Sequence, residues 1–277
     1  PMPGKISQSY QLVKQSYSIL KMDKEIMLFP VISAITSLMV LAVFLIPAYL
    51  IFGKQKSDDT GIVPYLLIFA YYLVSYFIII FFNTGLMTCA RIRMEGGDPK
   101  FMDGINNSMK HIGKIFTWAL VSATVGIVLK IAEDKSKILG KIIIALIGTA
   151  WNLLTFFAVP IIIFEELSLA DSIKKSGELF KKTWGENFIS QVSIGIFFFL
   201  LGLLSIIPLI AAIVIGNTYL LIGTLILIVF YLIALSIVSS SLDVIFSIVL
   251  YTYASTGNIP AGFSQDIVQN SFKLKSS

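Results

Sequence analysis

The chain has 277 residues and a net charge of +5, with 56% hydrophobic and only 13% charged residues. A soluble domain carries about 25% charged residues, yet the 56 residues between Glu186 and Asp243 hold no charge at all. That balance, with Cys89 as the lone cysteine, excludes a soluble enzyme, a disordered chain and a disulfide scaffold, and indicates an all-α polytopic integral membrane protein.

Pro1 stands before Met2, which reads as the remnant of a cleaved tag with the native start at Met2. Residues 2–24 lack an apolar run of seven, so no cleavable signal peptide is expected. Ile6, Tyr10, Val13, Tyr17 and Leu20 recur at helical steps and predict an amphipathic helix over 5–21 at the membrane interface. Asp23 offers an N-cap and Glu25 a first-turn charge for a span over 26–52, with Pro47 expected to bend or end it. A polar loop over 53–61 leads to a second span, 62–89. Gly96-Gly97 breaks that helix, and Asp98-Pro99 restarts one with Asp as cap and Pro at the first position. A second amphipathic segment runs from Phe101 to Phe116 and feeds a third span over 115–131. After the charged loop 133–137, a fourth span over 138–164 is interrupted by Pro160. Ser168 and Asp171 resemble a capping box at the head of a third amphipathic helix, which continues to Trp184. A fifth span over 188–215 turns at Gly216-Asn217. The last helix, 219–255, would reach about 55 Å at roughly 1.5 Å per residue, against about 30 Å of hydrocarbon. It is expected to bend near Ser239-Ser240-Ser241 or to project from the membrane.

Six spans put both termini on one side. That side holds Lys5, Lys14, Lys21, Lys24, Arg91, Arg93, Lys100, Lys110, Lys114, Lys174, Lys175, Lys181, Lys182, Lys273 and Lys275, 15 of the 21 cations. The other side holds Lys54, Lys56, Lys130, Lys135, Lys137 and Lys141, which places both termini in the cytoplasm. The order of elements is an amphipathic helix followed by a two-span hairpin, three times over, within one membrane domain covering 1–277. The units are 5–90, 98–164 and 168–256, with a cytoplasmic tail over 257–277. DGINNSMKHIGKIF (103–116) aligns without a gap to DSIKKSGELFKKTW (171–184), and the tail from 263 resembles the segment from 101.

The segments DKEIMLFP (23–30), FFNTGL (81–86), GGDPKFMDG (96–104), WALVSATVG (118–126), AWNLLTFFAVP (150–160), KTWGEN (182–187) and LYTYASTGNIPAGF (250–263) are spread over nearly the whole chain. In them the chain resembles a family of prokaryotic six-helix membrane proteins, domain of unknown function 6159. Its layout is also similar to the membrane domain of some glycerophosphodiester phosphodiesterases. The first resemblance implies a prokaryotic cell-membrane protein and brings no activity and no site residue.

Asn83, Asn152 and Asp243 fall at near-equivalent positions of the three units, where polar side chains in hydrocarbon seek partners. They predict either a hydrogen-bonded clasp or a polar pocket, with Asp243 resting as the neutral acid bonded to Asn83 or Asn152. Lys14, Lys110, Lys174, Lys175, Lys181 and Lys182 are candidate lipid-headgroup contacts. His111 reads as a solvated face residue, Cys89 as an inert small residue and Glu165-Glu166 as a helix end. No catalytic residue, metal site or cofactor is expected, because no Ser-His-Asp set, Cys-His pair or His cluster occurs. The leading expectation is a non-enzymatic membrane protein that scaffolds or organises lipid or partners, which include membrane lipids, a possible protein partner or a homo-oligomer, and no nucleic acid. The alternative is a transporter or channel for a small solute, ion or lipid.

Overall fold

The computed structural model describes residues 14–21, 23–52, 62–183 and 189–263. The loop over 53–61, Trp184 and the tail beyond Phe263 lie outside the described residues. Among the described residues every regular element is helical. Residues 14–21 form a helix, followed by a short turn of helix over Lys24–Met27. Then come α1 (Leu28–Phe52), α2 (Val63–Met94), α3 (Phe101–Lys110), α4 (Ile112–Asp134), α5 (Ile138–Leu154), α6 (Ala158–Phe164), α7 (Leu169–Thr183), α8 (Ile189–Leu203), α9 (Ile206–Ile215) and α10 (Thr218–Thr256). Six stretches are long and apolar enough to cross a membrane: Glu25–Leu50, Val63–Met94, Ile112–Asp134, Ile138–Phe164, Phe197–Ile215 and Thr218–Thr256. The protein is a multi-pass membrane protein.

Two of these stretches are jointed, and proline explains where. Pro160 is the third residue of α6 and Pro208 the third residue of α9. Neither ring can donate an N–H to the carbonyl four residues back, so each helix breaks just upstream and restarts with proline in its first turn. The joint therefore falls at 155–157, ahead of Pro160 rather than on it. α1, by contrast, continues through Pro47 to Phe52.

The turns at the charged end differ from their expected caps. Asp23 makes no side-chain cap bond. Its carboxylate instead accepts from Arg93 Nε at 2.9 Å and Nη2 at 2.5 Å. Asp98 also goes to Arg93, at 2.6 Å, so α3 starts only at Phe101. There Asp103 accepts from the Lys100 N–H at 2.8 Å and Glu25 from the Phe101 N–H at 2.6 Å. Orphan donors of one helix are thus closed by a carboxylate from a segment 76 residues away. Gly96 supplies the left-handed backbone of the preceding turn, with φ 89°. The Ser168 hydroxyl does cap α7, accepting from the Asp171 N–H at 3.2 Å.

α2 packs against α1, α3, α4, α6 and α10. The largest buried cluster joins Leu20, Ile26, Phe29, Leu86, Phe157, Ile161, Leu179 and the stretch of α10 from Leu242 to Ala254. A second joins Ile115, Trp118, Ala119 and Ile162. Both lie at the end that carries the Asp23–Arg93 and Glu165–Lys175 ion pairs. Glycines permit the closest approach there: a Cβ on Gly104 would stand 2.6 Å from the Gly85 carbonyl oxygen and 2.4 Å from the Phe29 ring. Two buried serines fasten the short helices to the spans. Ser108 donates to the Phe81 carbonyl at 2.9 Å, and Ser176 accepts from the Phe157 N–H at 3.0 Å.

Candidate functional site in the lateral clefts

Ser236, Ser239, Ser240 and Asp243 recur at i, i+3, i+4 and i+7, so they share one face of α10. With Phe198, Phe199, Gly202 and Leu203 of α8 they line an open cleft of about 560 Å³. A second cavity, of about 620 Å³, lies on the other flank of α10 against α1 and α2, and Asn83 borders it. Leu232, Ser236 and Ser240 belong to both cavities. Asn83 stands eight residues before Arg91 and Asp243 eight before Tyr251, so each lies about 12 Å along its helix from the charged end at roughly 1.5 Å per residue. Two of the three polar positions singled out by sequence thus meet adjoining cavities at one depth. Asn152 does not join them; it is exposed on α5, which packs on α4 and α7. Among the described residues no hydrogen bond links the three.

A charged anchor closes the bundle below the clefts. Glu165 accepts from the Tyr251 hydroxyl at 2.8 Å and pairs with Lys175, tying α6 to α10 and α7. Glu166, in the left-handed region at φ 55°, lies 3.5 Å from Lys110 Nζ and 3.6 Å from His111 Nε2. Lys110, His111 and Lys114 hold its carboxyl below the usual glutamate range. The Arg91 guanidinium sits 4.7 Å over the Phe164 ring and pairs with Glu95 at 2.8 Å.

The expected helix end at Glu165-Glu166 is therefore a junction of four helices. Its partners are distant in sequence, so spacing could not find it. His111 corrects the expectation of a solvated side chain: only 6% is exposed, and Nδ1 lies 2.8 Å from the Asn107 carbonyl oxygen. Cys89 is buried, as a small inert residue would be. Of the headgroup candidates, Lys14, Lys174 and Lys181 are exposed with no ion pair among the described residues, whereas Lys110 and Lys175 are paired. The side chain of Lys182 lies outside what is described. The serine face of α10 went unrecognised as a site, although its i, i+3, i+4, i+7 spacing towards Asp243 was a readable signal.

The fold and clefts define a multi-pass α-helical membrane protein with lateral, mostly apolar cavities that carry a few polar groups. The model of a family of unknown function, DUF6159, matches residues 62–263, and the chain belongs to that family. No curated protein matches it.

Proposed function

We propose that this is a non-enzymatic integral membrane protein that organises membrane lipid, or a partner protein, at its charged end. The carrying observation is that Lys14 and the α7 residues Lys174 and Lys181 are exposed there without an ion pair among the described residues. Each cation near an anionic leaflet contributes about 1 kcal/mol of attraction. Lys110 and Lys175 serve a different role, holding the short helices through Glu166 and Glu165. The reading includes a chain of three units, each an amphipathic helix and a hairpin. It is supported by Ser108 and Ser176, which occupy matched positions of the aligned segments, are both buried, and both bond a span's backbone. It also takes both termini to be cytoplasmic, on the basis of the asymmetry of cations between the two sides, and takes the membrane to be a prokaryotic plasma membrane, as the family resemblance implies.

Native mass spectrometry of protein extracted from mixed anionic and zwitterionic membranes tests the lipid role. Retained anionic lipid should fall about tenfold or more in a K14E/K174E/K181E variant, and equal retention would refute it. For orientation, an impermeant thiol reagent on intact cells should label Lys135→Cys and spare Lys174→Cys. A second reading, a transporter or channel for a small solute, ion or lipid, is favoured by the two adjoining cavities that meet at Ser236 and Ser240.

A further inference from the structure

We infer that the cleft between α8 and α10 binds an amphiphilic organic cation, an ammonium group on a hydrocarbon body, with Asp243 meeting the charge. Asp243 opens onto the cavity and makes no ion pair or hydrogen bond among the described residues. The bond to Asn83 or Asn152 that would shelter a neutral acid is not formed among the described residues, and an unpaired carboxyl at membrane depth is costly and calls for a counter-charge.

Among the described residues none is available at that depth. The run from 187 to 242 covers all of α8 and α9 and the adjoining part of α10, and it contains no Lys or Arg. α1 has none either, and the first cation of α2 is Arg91, at the charged end. α7 also packs on α10, but its Lys175 is held by Glu165, and Lys174 and Lys181 are exposed at the charged end. Ser236, Ser239 and Ser240 add three hydroxyls that make no hydrogen bond among the described residues, whereas the neighbouring Ser241 donates to the Ile237 carbonyl at 2.7 Å. Free hydroxyls beside a carboxylate suit an N–H donor.

The rest of the wall argues against a bare ion. A hard metal cation takes about six to eight oxygen ligands, and this cavity offers one carboxylate and three hydroxyls among Phe, Leu and Gly. Its volume of about 560 Å³ fits a hydrocarbon-bearing molecule. Phe199 is 65% exposed and Leu232 40% exposed, so the wall continues onto the outer surface of the helices, where a membrane amphiphile can enter sideways.

The inference rests on the apolar helix faces being lipid-facing, and is independent of the surface lysines, so the two proposals can fail separately. The protein in nanodiscs of zwitterionic lipid is titrated with dodecylamine, dodecanol or sodium chloride at neutral pH, with bound mass and melting temperature as readouts. Dodecylamine should bind at least about tenfold more tightly than dodecanol, and sodium chloride should not stabilise. Asp243→Asn should erase the preference for the amine. Gly202→Leu is the second variant, because it leaves Asp243 intact. A Cβ at position 202 meets Leu232 only at 3.7 Å, so the larger side chain can fill the cavity without a backbone clash; it should weaken binding of both dodecyl compounds. Equal binding of amine and alcohol, unchanged selectivity in Asp243→Asn, unchanged binding in Gly202→Leu, or equal stabilisation by sodium chloride would each overturn the inference.

Discussion

Phe29, at the start of α1, is fully buried, whereas Val43, further along the same helix, is 65% exposed. α10 repeats the contrast: Leu242 to Leu250 is almost wholly buried, while Leu227 is 71% and Phe230 66% exposed. Both regions are apolar, so hydrophobicity alone does not decide which one packs. Lipid tails are as apolar as leucine, and helix association in a membrane depends on close fit and hydrogen bonds. The charged end has both, through Gly85 and Gly104, the bonds of Ser108 and Ser176, and the carboxylates of Asp23, Glu25 and Glu165. At the far end long side chains face outward, although the Tyr231 hydroxyl of α10 donates to the Leu201 carbonyl of α8 at 2.9 Å.

The sharpest way to break this contrast is to empty the packed end. Phe29→Ala should destabilise the protein by about 3–5 kcal/mol through the cavity it leaves. Val43→Ala should fall within about 0.5 kcal/mol. Unfolding in mixed detergent–denaturant measures both, and comparable losses would show that the two ends contribute alike.

Overfilling is the next test. Gly104→Leu would drive a side chain into Phe29 and the Gly85 backbone, costing about 1–3 kcal/mol. A Cβ on Gly223 meets nothing within 4 Å, so Gly223→Leu should leave the melting temperature within a degree or two of wild type.

The smallest effect is a pH dependence at Glu166. Its carboxyl is held low by Lys110, His111 and Lys114, so its folded value lies below its unfolded one, near pH 4.3. A depressed acid adds stability above the unfolded value and loses it as pH falls through the folded value. Glu166→Gln should therefore flatten the acid limb of melting temperature against pH. The two curves should converge at the lowest pH, and parallel curves would show that Glu166 pairs with nothing.

The spans were legible because a long charge-free helix leaves a strong local signal, and the membrane-scale architecture follows from it. The short-range cap at Ser168 was legible for the same reason. Asp23 and Asp98 were misassigned because a cap and an ion-pair partner use the same residue type, and only the fold brings Arg93 to both. His111 was misjudged because the amphipathic pattern of α3 cannot reveal that Glu166 covers its edge. Asn83 and Asp243 were found by their rarity in apolar surroundings. Asn152 obeyed the same rule but stands apart, because position in a repeat does not determine which neighbour a jointed helix packs on.

α10 runs for 39 residues without interruption, about 58 Å at roughly 1.5 Å per residue. Only its last two turns lie near the charged anchor, so a rod that does not bend must project from a hydrocarbon layer about 30 Å thick or tilt within it. A rod longer than its solvent layer tilts steeply or thickens the layer around it, at a fraction of a kcal/mol for each Å of mismatch. Acyl-chain length is thus a variable that acts on α10 directly, and through its serine face on the width of both clefts.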